Sequence, residues 1–134
     1  MQKNRRSIVG FAIVLMAAFA AIAASAAERK VFDARNFEAA QISGRPILVD
    51  ISASWCPTCW AQKPTIDSLA AMSEFKDLII FAVDFDNQKS VVRNFRAQSQ
   101  STLIAFRGQA ETGRSVGDTD PESIRALVES AFSK

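Results

Sequence analysis

The sequence predicts an α/β domain in which helices cover both faces of a central β-sheet. Apolar, β-rich runs at residues 47–51 and 78–83 have the composition of strands that are buried on both sides. Helical patterns separate these runs, an arrangement that is typical of a sheet with helices on both faces. A tight turn at residues 107–109 joins two further strands, so we expect a mixed sheet with a C-terminal antiparallel hairpin and a final helix.

Each expected element has its own local signals. Asp33 can cap the first helix and Gly44 can end it, while Pro64 should kink the second helix. Asp120 followed by Pro121 opens the last helix, because proline suits the first helical position. The expected elements are a helix at 34–42, a strand at 47–51, a helix from the cysteines to about 73, a strand at 78–83, a helix at 90–97, strands at 102–106 and 111–116, and a helix from 121.

The N-terminal segment has the parts of a secretory signal. Lys3, Arg5 and Arg6 precede an uncharged, apolar run at residues 7–27 that ends in small residues. We therefore expect residues 1–26 to be a signal peptide, cleaved after Ala26 or Ala27, and residues 27–134 to be the domain. The alternative is an uncleaved membrane anchor, because about 20 apolar residues cross a bilayer. Either interpretation places the domain outside the cytoplasm, in the periplasm.

Composition and charge exclude several functional classes. The full chain has 16 cations and 14 acids, and removal of the predicted signal would leave 13 cations and a net charge of −1. That balance lacks the excess of positive charge that nucleic-acid binding requires. The chain contains no histidine, which excludes Ser-His-Asp and Cys-His nucleophiles and histidine-ligated metal sites within one chain. Two cysteines are too few for a disulfide-rich scaffold.

The two cysteines are the candidate reactive groups. Cys56 and Cys59 follow a predicted strand and open a predicted helix, so their side chains lie on one helix face. Pro57 suits the first helical turn, and the helix N-terminus favours a thiolate at Cys56. Because thiolates attack disulfides and thiols do so poorly, we predict Cys56 as the nucleophile and Cys59 as the resolving thiol.

Two other interpretations of this cysteine pair remain. A structural disulfide between near neighbours closes a very short loop and stabilises little. A thiolate metal site for copper or an iron–sulfur centre would need further ligands, which two chains of a dimer could share. Beside an enzyme and a metal-binding module, a third possible function is a redox-inert adaptor that uses the fold only to bind partners.

The chain resembles the thioredoxin family, in its exported bacterial branch, over about residues 32–132. Residues 47–50, the WCPTC segment at 55–59 and Pro64 follow the order of that family's strand, active site and kinked helix. Asp86 resembles the acid that ends its next strand, and Gly108 and Gly117 resemble glycines of its terminal hairpin. The resemblance implies the thioredoxin fold and thiol–disulfide exchange, with no resident cofactor or metal beyond the Cys56–Cys59 disulfide.

The resemblance also implies roles for residues beside the cysteines. The family's acid at the position of Asp50 lies beneath the disulfide, so Asp50 is expected to accept the proton of Cys59 with a pKa raised by burial. Trp55 is expected to shield the site and to contact substrates. Pro57 and Thr58 are expected to contact substrates and to tune the redox potential. Trp60 would extend this docking surface if exposed.

Two positions depart from the family pattern. Ser101 stands where the family has a cis-proline, just before Thr102, and both residues are expected to contact substrate. A cis bond at a non-proline residue costs about 3 kcal/mol, so we expect a trans or strained peptide there. The consequence is either an altered substrate loop or a cysteine pair that is open to a metal. Ala82 stands roughly where cytosolic relatives often carry a lysine near the buried acid, and its loss should raise the pKa of that acid further.

These expectations combine into one functional hypothesis. The protein would be a periplasmic thiol–disulfide oxidoreductase that acts on cysteines of exported proteins, more as a reductant than as an oxidant. Because the periplasm is oxidising, a reductant there needs a membrane electron-transfer partner of disulfide-reductase type. We expect a monomer.

Overall fold

The computed structural model describes residues 25–134, so almost all of the predicted signal at 1–26 lies outside the described residues. Within residues 25–134, no helix combines the length and the apolar character that crossing a membrane requires. The elements are β1 (Glu28–Val31), α1 (Ala34–Ile42), β2 (Pro46–Ser52), α2 (Pro57–Ala71), a 3-10 turn (Ser73–Phe75), β3 (Ile79–Asp84), α3 (Lys89–Asn94), β4 (Thr102–Arg107), β5 (Ala110–Val116) and α4 (Pro121–Ser130).

The predicted fold class is confirmed. The five strands form one mixed sheet in the order β1-β3-β2-β4-β5. Strands β1, β3 and β2 are parallel, whereas β4 runs antiparallel to β2 and pairs with β5 in the expected hairpin. This order puts β2, whose C-terminal end leads into the two cysteines, at the centre of the sheet.

The sequence interpretation was wrong about one strand and one helix end. It missed β1, because three of its four residues are charged and such a run lacks a strand's apolar pattern. A strand at the sheet edge pairs on one side only and tolerates this composition. Helix α3 ends at Asn94 rather than 97, because the chain turns there with Arg96 at φ +55°.

The sheet separates two apolar layers. On one face, Val49 and Phe81 pack with phenylalanines from around α1 and α3, whose rings meet mostly edge to face. On the other face, Leu48 and Ile80 pack against α2 and α4. Successive strand residues face opposite layers, so Asp50 lies on the same face as Leu48, toward α2.

Local caps fix the N-terminal ends of two helices. Asp33 and Asp120 cap α1 and α4 as expected, each accepting a hydrogen bond from the backbone three residues on. At the start of the domain, the Ala27 N–H donates to the Ala70 carbonyl oxygen at 2.8 Å, in the last turn of α2. The chain is therefore attached to α2 one residue before β1 begins.

Candidate active site

The cysteines lie at the junction of β2 and α2. Cys56 is the N-cap of α2, with extended backbone angles, and Pro57 occupies the first turn. The Cys59 N–H donates a hydrogen bond to Cys56 Sγ at 3.1 Å. The two residues form a disulfide with their Cα atoms 5.3 Å apart. The sulfur of Cys56 thus takes the place that a Ser or Asp oxygen has in an ordinary N-cap, where the helix dipole favours negative charge.

Both cysteines are buried in this disulfide form. Cys56 is 1% exposed and Cys59 8%, and they pack with Ala53 and the partly buried Phe85. Cys59 also lines an open cavity of about 460 Å³ on the α2 side of the sheet, and Asp50 lines the same cavity. The helix N-terminus therefore favours a thiolate at Cys56, whereas accessibility does not favour Cys56 over Cys59.

Two tryptophans present their rings beside the disulfide. Trp55 is 53% exposed and Trp60 58%, and the indole N–H of each is already used. Trp55 Nε1 donates to Asp86 Oδ2 at 2.7 Å, and Trp60 Nε1 donates to the Ser54 carbonyl oxygen at 3.0 Å. These bonds fix both ring planes and leave apolar surface exposed around the cysteines, as an aromatic docking surface requires.

Ser101 adopts a backbone conformation that the sequence does not reveal. No cis peptide occurs in residues 25–134, and Ser101 has φ +57°, in the left-handed region. This fits the expectation of a trans, strained peptide in place of the family's cis-proline. Ser101 and Thr102 are both buried, and their hydroxyls donate to the carbonyl oxygens of Gln100 and Ser99.

The other two predicted substrate contacts lie at the start of α2, where Pro57 is exposed and Thr58 is half-buried.

Gln62 is a residue that sequence reasoning missed. It is 1% exposed on the inner side of α2, and its Nε2 donates to the carbonyl oxygens of Ser101 at 3.3 Å and Asp118 at 2.8 Å. The Gly117 N–H also donates to the Ser101 carbonyl oxygen. A buried amide therefore ties the loops before β4 and after β5 to the active-site helix. The sequence signal is a glutamine on the apolar side of a helix, which is rarely buried without partners.

Asp50 is a buried acid with an arginine side chain beside it. Its side chain is only 13% exposed, and desolvation raises its pKa, while the positive charge of Arg29 opposes that rise. Arg29 Nη1 lies 3.8 Å from Asp50 Oδ2, and Arg29 Nη2 bonds Asp67 Oδ1 at 2.9 Å. The expectation that Ala82 leaves the buried acid without a cation is therefore incomplete. Asp50 has the cation of Arg29 beside it, which comes from β1 rather than β3. Sequence reasoning missed Arg29 because it missed β1.

The site is made of thiols, a carboxyl group and indoles. Among residues 25–134 no group of three or more cysteine, aspartate or glutamate side chains is placed to hold a metal ion, and no observation there supports the thiolate metal alternative. The arrangement instead suits two-electron exchange between the cysteine pair and an external disulfide, with the Asp50 carboxyl group lining the same cavity as Cys59.

Comparison with known proteins decides the family. A model of the thioredoxin family matches residues 28–130. The chain belongs to the thioredoxin family. It is 33% identical to a thioredoxin of Chlamydia trachomatis over 99 residues, 74% of this chain and 94% of the relative. It is 36% identical to a thioredoxin of Chlamydia muridarum over 93 residues, 69% of this chain and 88% of the relative.

Solved structures agree with this membership. The crystal structure of Trxlp from Edwardsiella tarda is 39% identical with a TM-score of 0.73, and the match covers 75% of this chain and 98% of that one. The thioredoxin of Malassezia sympodialis, at 17% identity and a TM-score of 0.70, shows the shared fold. With its Cys56–Cys59 disulfide at the family's position, this thioredoxin-family protein is a thiol–disulfide oxidoreductase.

Proposed function

We propose that the protein works in the periplasm as a reductant of disulfide bonds in exported proteins. Cys56 is the attacking thiolate, Cys59 the resolving thiol and Asp50 the acceptor of the Cys59 proton. The observation that carries the roles of the cysteines is the hydrogen bond from the Cys59 N–H to Cys56 Sγ at the N-terminus of α2. The same N–H and the helix dipole would stabilise a negative charge on Cys56 in the dithiol form.

The exchange proceeds in two balanced steps. The Cys56 thiolate attacks a substrate disulfide, which forms a Cys56–substrate bond and releases the first substrate sulfur as a thiolate. Cys59 then loses its proton to the Asp50 carboxylate, and its thiolate attacks the Cys56 sulfur. The Cys56–Cys59 bond forms, the bond to substrate breaks, and the second substrate thiolate takes a proton from water. The protein dithiol loses two electrons, and the substrate disulfide gains them.

The reductant direction is supported by the extent of the domain. Two curated thioredoxins are matched over 88–94% of their length, and the match to this chain spans its α/β core without a large insertion. Each turnover leaves Cys56 and Cys59 oxidised in an oxidising compartment, so a reductant there needs a membrane electron-transfer partner. The location rests on the basic, apolar and small-residue sections of residues 1–26. We propose a monomer without a resident cofactor.

Trapping experiments test the roles of the two cysteines. Cys59→Ser should accumulate mixed disulfides between Cys56 and exported proteins, because the resolving thiol is absent. Cys56→Ser is the matched control and should accumulate far fewer. Trapping by Cys56→Ser alone would give the attacking role to Cys59, the more exposed of the two residues. Equal trapping by both variants would mean that either thiol can attack, which would overturn the assigned roles. No adduct from either variant would favour a redox-inert adaptor.

The direction and location have their own measurements. The reduction potential of the Cys56–Cys59 pair should be about −270 mV, as in reducing thioredoxins, and a value of about −120 mV would indicate an oxidant. The full-length protein should appear in the periplasmic fraction, and deletion of residues 2–26 should leave it in the cytoplasm. Cytoplasmic recovery of the full-length protein would overturn the proposed location.

A further inference from the structure

Arg29 reaches Asp50 because of the sheet register. Val31 of β1, Ala82 of β3 and Asp50 of β2 form one row across the parallel strands, and Arg29 stands two residues earlier on the same face as Val31. The middle member of this row, Ala82, has only a methyl group, so the cavity remains open there. The guanidinium of Arg29 lies at this cavity, 3.8 Å from Asp50 Oδ2.

A second contact holds the guanidinium in place. Arg29 Nη2 donates to Asp67 Oδ1 at 2.9 Å, and Lys63 Nζ contacts the other oxygen of Asp67. Asp67 lies one helical turn beyond Lys63 on α2, so the active-site helix fixes the position of a cation carried by the edge strand. Ion pairs of an exposed arginine such as Arg29 contribute little stability by themselves. The contact with Asp67 instead holds the positive charge of Arg29 beside the buried Asp50.

We propose that Arg29 is a positioning residue for the exchange reaction, supplying from β1 the positive charge that keeps Asp50 able to take the Cys59 proton. The inference rests on the proposed role of Asp50. Without Arg29, the favourable charge of Lys63 on an ionised Asp50 would be offset by that of Asp67. A permanently protonated Asp50 could not accept a proton. The charged guanidinium lowers the cost of the carboxylate form, which makes proton transfer from the Cys59 thiol possible near neutral pH.

The charges around Asp50 come from three elements. Arg29 faces it from β1, Lys63 and Asp67 from α2, and Asp84 from the end of β3. On β4, Leu103 pairs with Asp50 and adds no charge. Lys63 and Asp67 bond each other and have opposite effects on Asp50, so Arg29 is the largest favourable charge that it meets.

The test measures Asp50 directly in the oxidised protein, where the cysteines do not titrate. The carboxyl 13C resonance of Asp50, followed against pH, should shift its midpoint upward by about one pH unit in Arg29→Met. Arg29→Lys should restore most of the wild-type midpoint. The double variant Arg29→Met with Ala82→Lys should also restore it, because it places a cation on the middle strand of the same row. Lys30→Met is the matched control, since Lys30 is the next residue of β1 and faces the other side of the sheet.

The kinetic readout is the rate at which Cys59 resolves a preformed mixed disulfide on Cys56. Its pH midpoint should rise with the Asp50 midpoint in Arg29→Met and stay unchanged in Lys30→Met. An unchanged Asp50 midpoint in Arg29→Met, or equal shifts in Arg29→Met and Lys30→Met, would overturn the inference. Failure of wild-type protein to form or resolve a mixed disulfide would instead overturn the proposed function, while the Asp50 titration would still report on Arg29.

Discussion

Gln62 donates a hydrogen bond from its buried side chain to the carbonyl oxygen of Ser101, 3.3 Å away. The same nitrogen bonds the Asp118 carbonyl oxygen at 2.8 Å, so one side chain joins α2 to the loops on either side of the β4–β5 hairpin. The resemblance to the thioredoxin family puts a cis-proline at the position of Ser101. Here a left-handed residue is held by a polar contact from the active-site helix instead.

Gln62→Leu should lower the free energy of unfolding by about 1–2 kcal/mol. Leucine keeps the buried volume but removes the donor from two carbonyl groups, and a lost partner for a buried acceptor costs about 1–3 kcal/mol. Removal of the buried Gln62 Oε1, which accepts no hydrogen bond from residues 25–134, offsets part of this cost. Ser101 keeps its bond from the Gly117 N–H, which limits the loss. Urea denaturation of the oxidised protein measures the effect. Gln109→Leu, in the exposed β4–β5 turn, is the control and should change stability by less than about 0.5 kcal/mol.

Ser101→Pro should destabilise the protein by more than about 1 kcal/mol, although proline is the family's own residue there. Proline fixes φ near −65°, which is incompatible with the φ of +57° at this position. Ser101→Gly accepts the observed φ and is the matched variant. Thermal and urea unfolding of both proteins would compare them. A proline variant as stable as wild type would mean that this loop readily adopts another conformation.

Asp50→Asn should gain stability relative to wild type as pH rises. Burial raises the pKa of Asp50 in the folded state, so between about pH 4 and that raised pKa the native protein binds more protons than the unfolded chain. Stability of the wild type therefore falls through this window, at ~1.4 kcal/mol for each pH unit that the pKa has moved. Below the window the two proteins should respond alike to pH. Urea denaturation across a pH series measures the difference.

Asp84→Asn is the control for Asp50→Asn, because the pKa of Asp84 is lowered where that of Asp50 is raised. Hydrogen bonds from the Asn87 side chain and backbone hold the pKa of Asp84 below its usual value. Its contribution is present at neutral pH and is lost as pH falls through the lowered pKa. The asparagine variant should therefore be the less stable protein at neutral pH and should approach wild type in acid. The same trend in both variants would contradict the assignment for Asp50.

Trp60→Ala should weaken exchange with protein substrates and spare small disulfides. The ring is 58% exposed beside Cys59, and a docking aromatic contributes through the apolar surface that a large partner covers. We expect kcat/KM for a protein disulfide to fall about 5- to 10-fold, about 1 kcal/mol, with the rate for a small disulfide unchanged. Ile42→Ala removes an exposed apolar side chain on α1 and is the control. Equal losses for both substrate sizes would assign Trp60 a structural role.

The parts of the molecule that could be predicted from sequence are those with local causes. Apolar runs identified β2 and β3, a turn identified the hairpin, and the spacing of Cys56 and Cys59 at a strand–helix junction identified the reactive site. Arg29 has no such signal, and the signal for Gln62, a glutamine on the apolar side of a helix, does not identify its partners. Each acquires its role from residues far away in the chain, Arg29 through the pairing of a charged edge strand and Gln62 through loops that only the folded hairpin brings to α2. The missing proline was visible at Ser101, but its φ depends on those loops.

The attachment of Ala27 to α2 gives the proposed signal cleavage a consequence for the N-terminus of the domain. Cleavage after Ala26 would convert the N–H that bonds Ala70 into a charged ammonium group at the C-terminal end of a long helix. A cation there is favoured by about 0.3–1 kcal/mol. Cleavage one residue later would remove that donor and put the ammonium group on Glu28, whose nitrogen bonds the Leu78 carbonyl oxygen instead. Two cleaved proteins that differ by a single alanine would thus have different N-terminal contacts. The ammonium group would contact the Ala70 carbonyl oxygen in one and the Leu78 carbonyl oxygen in the other.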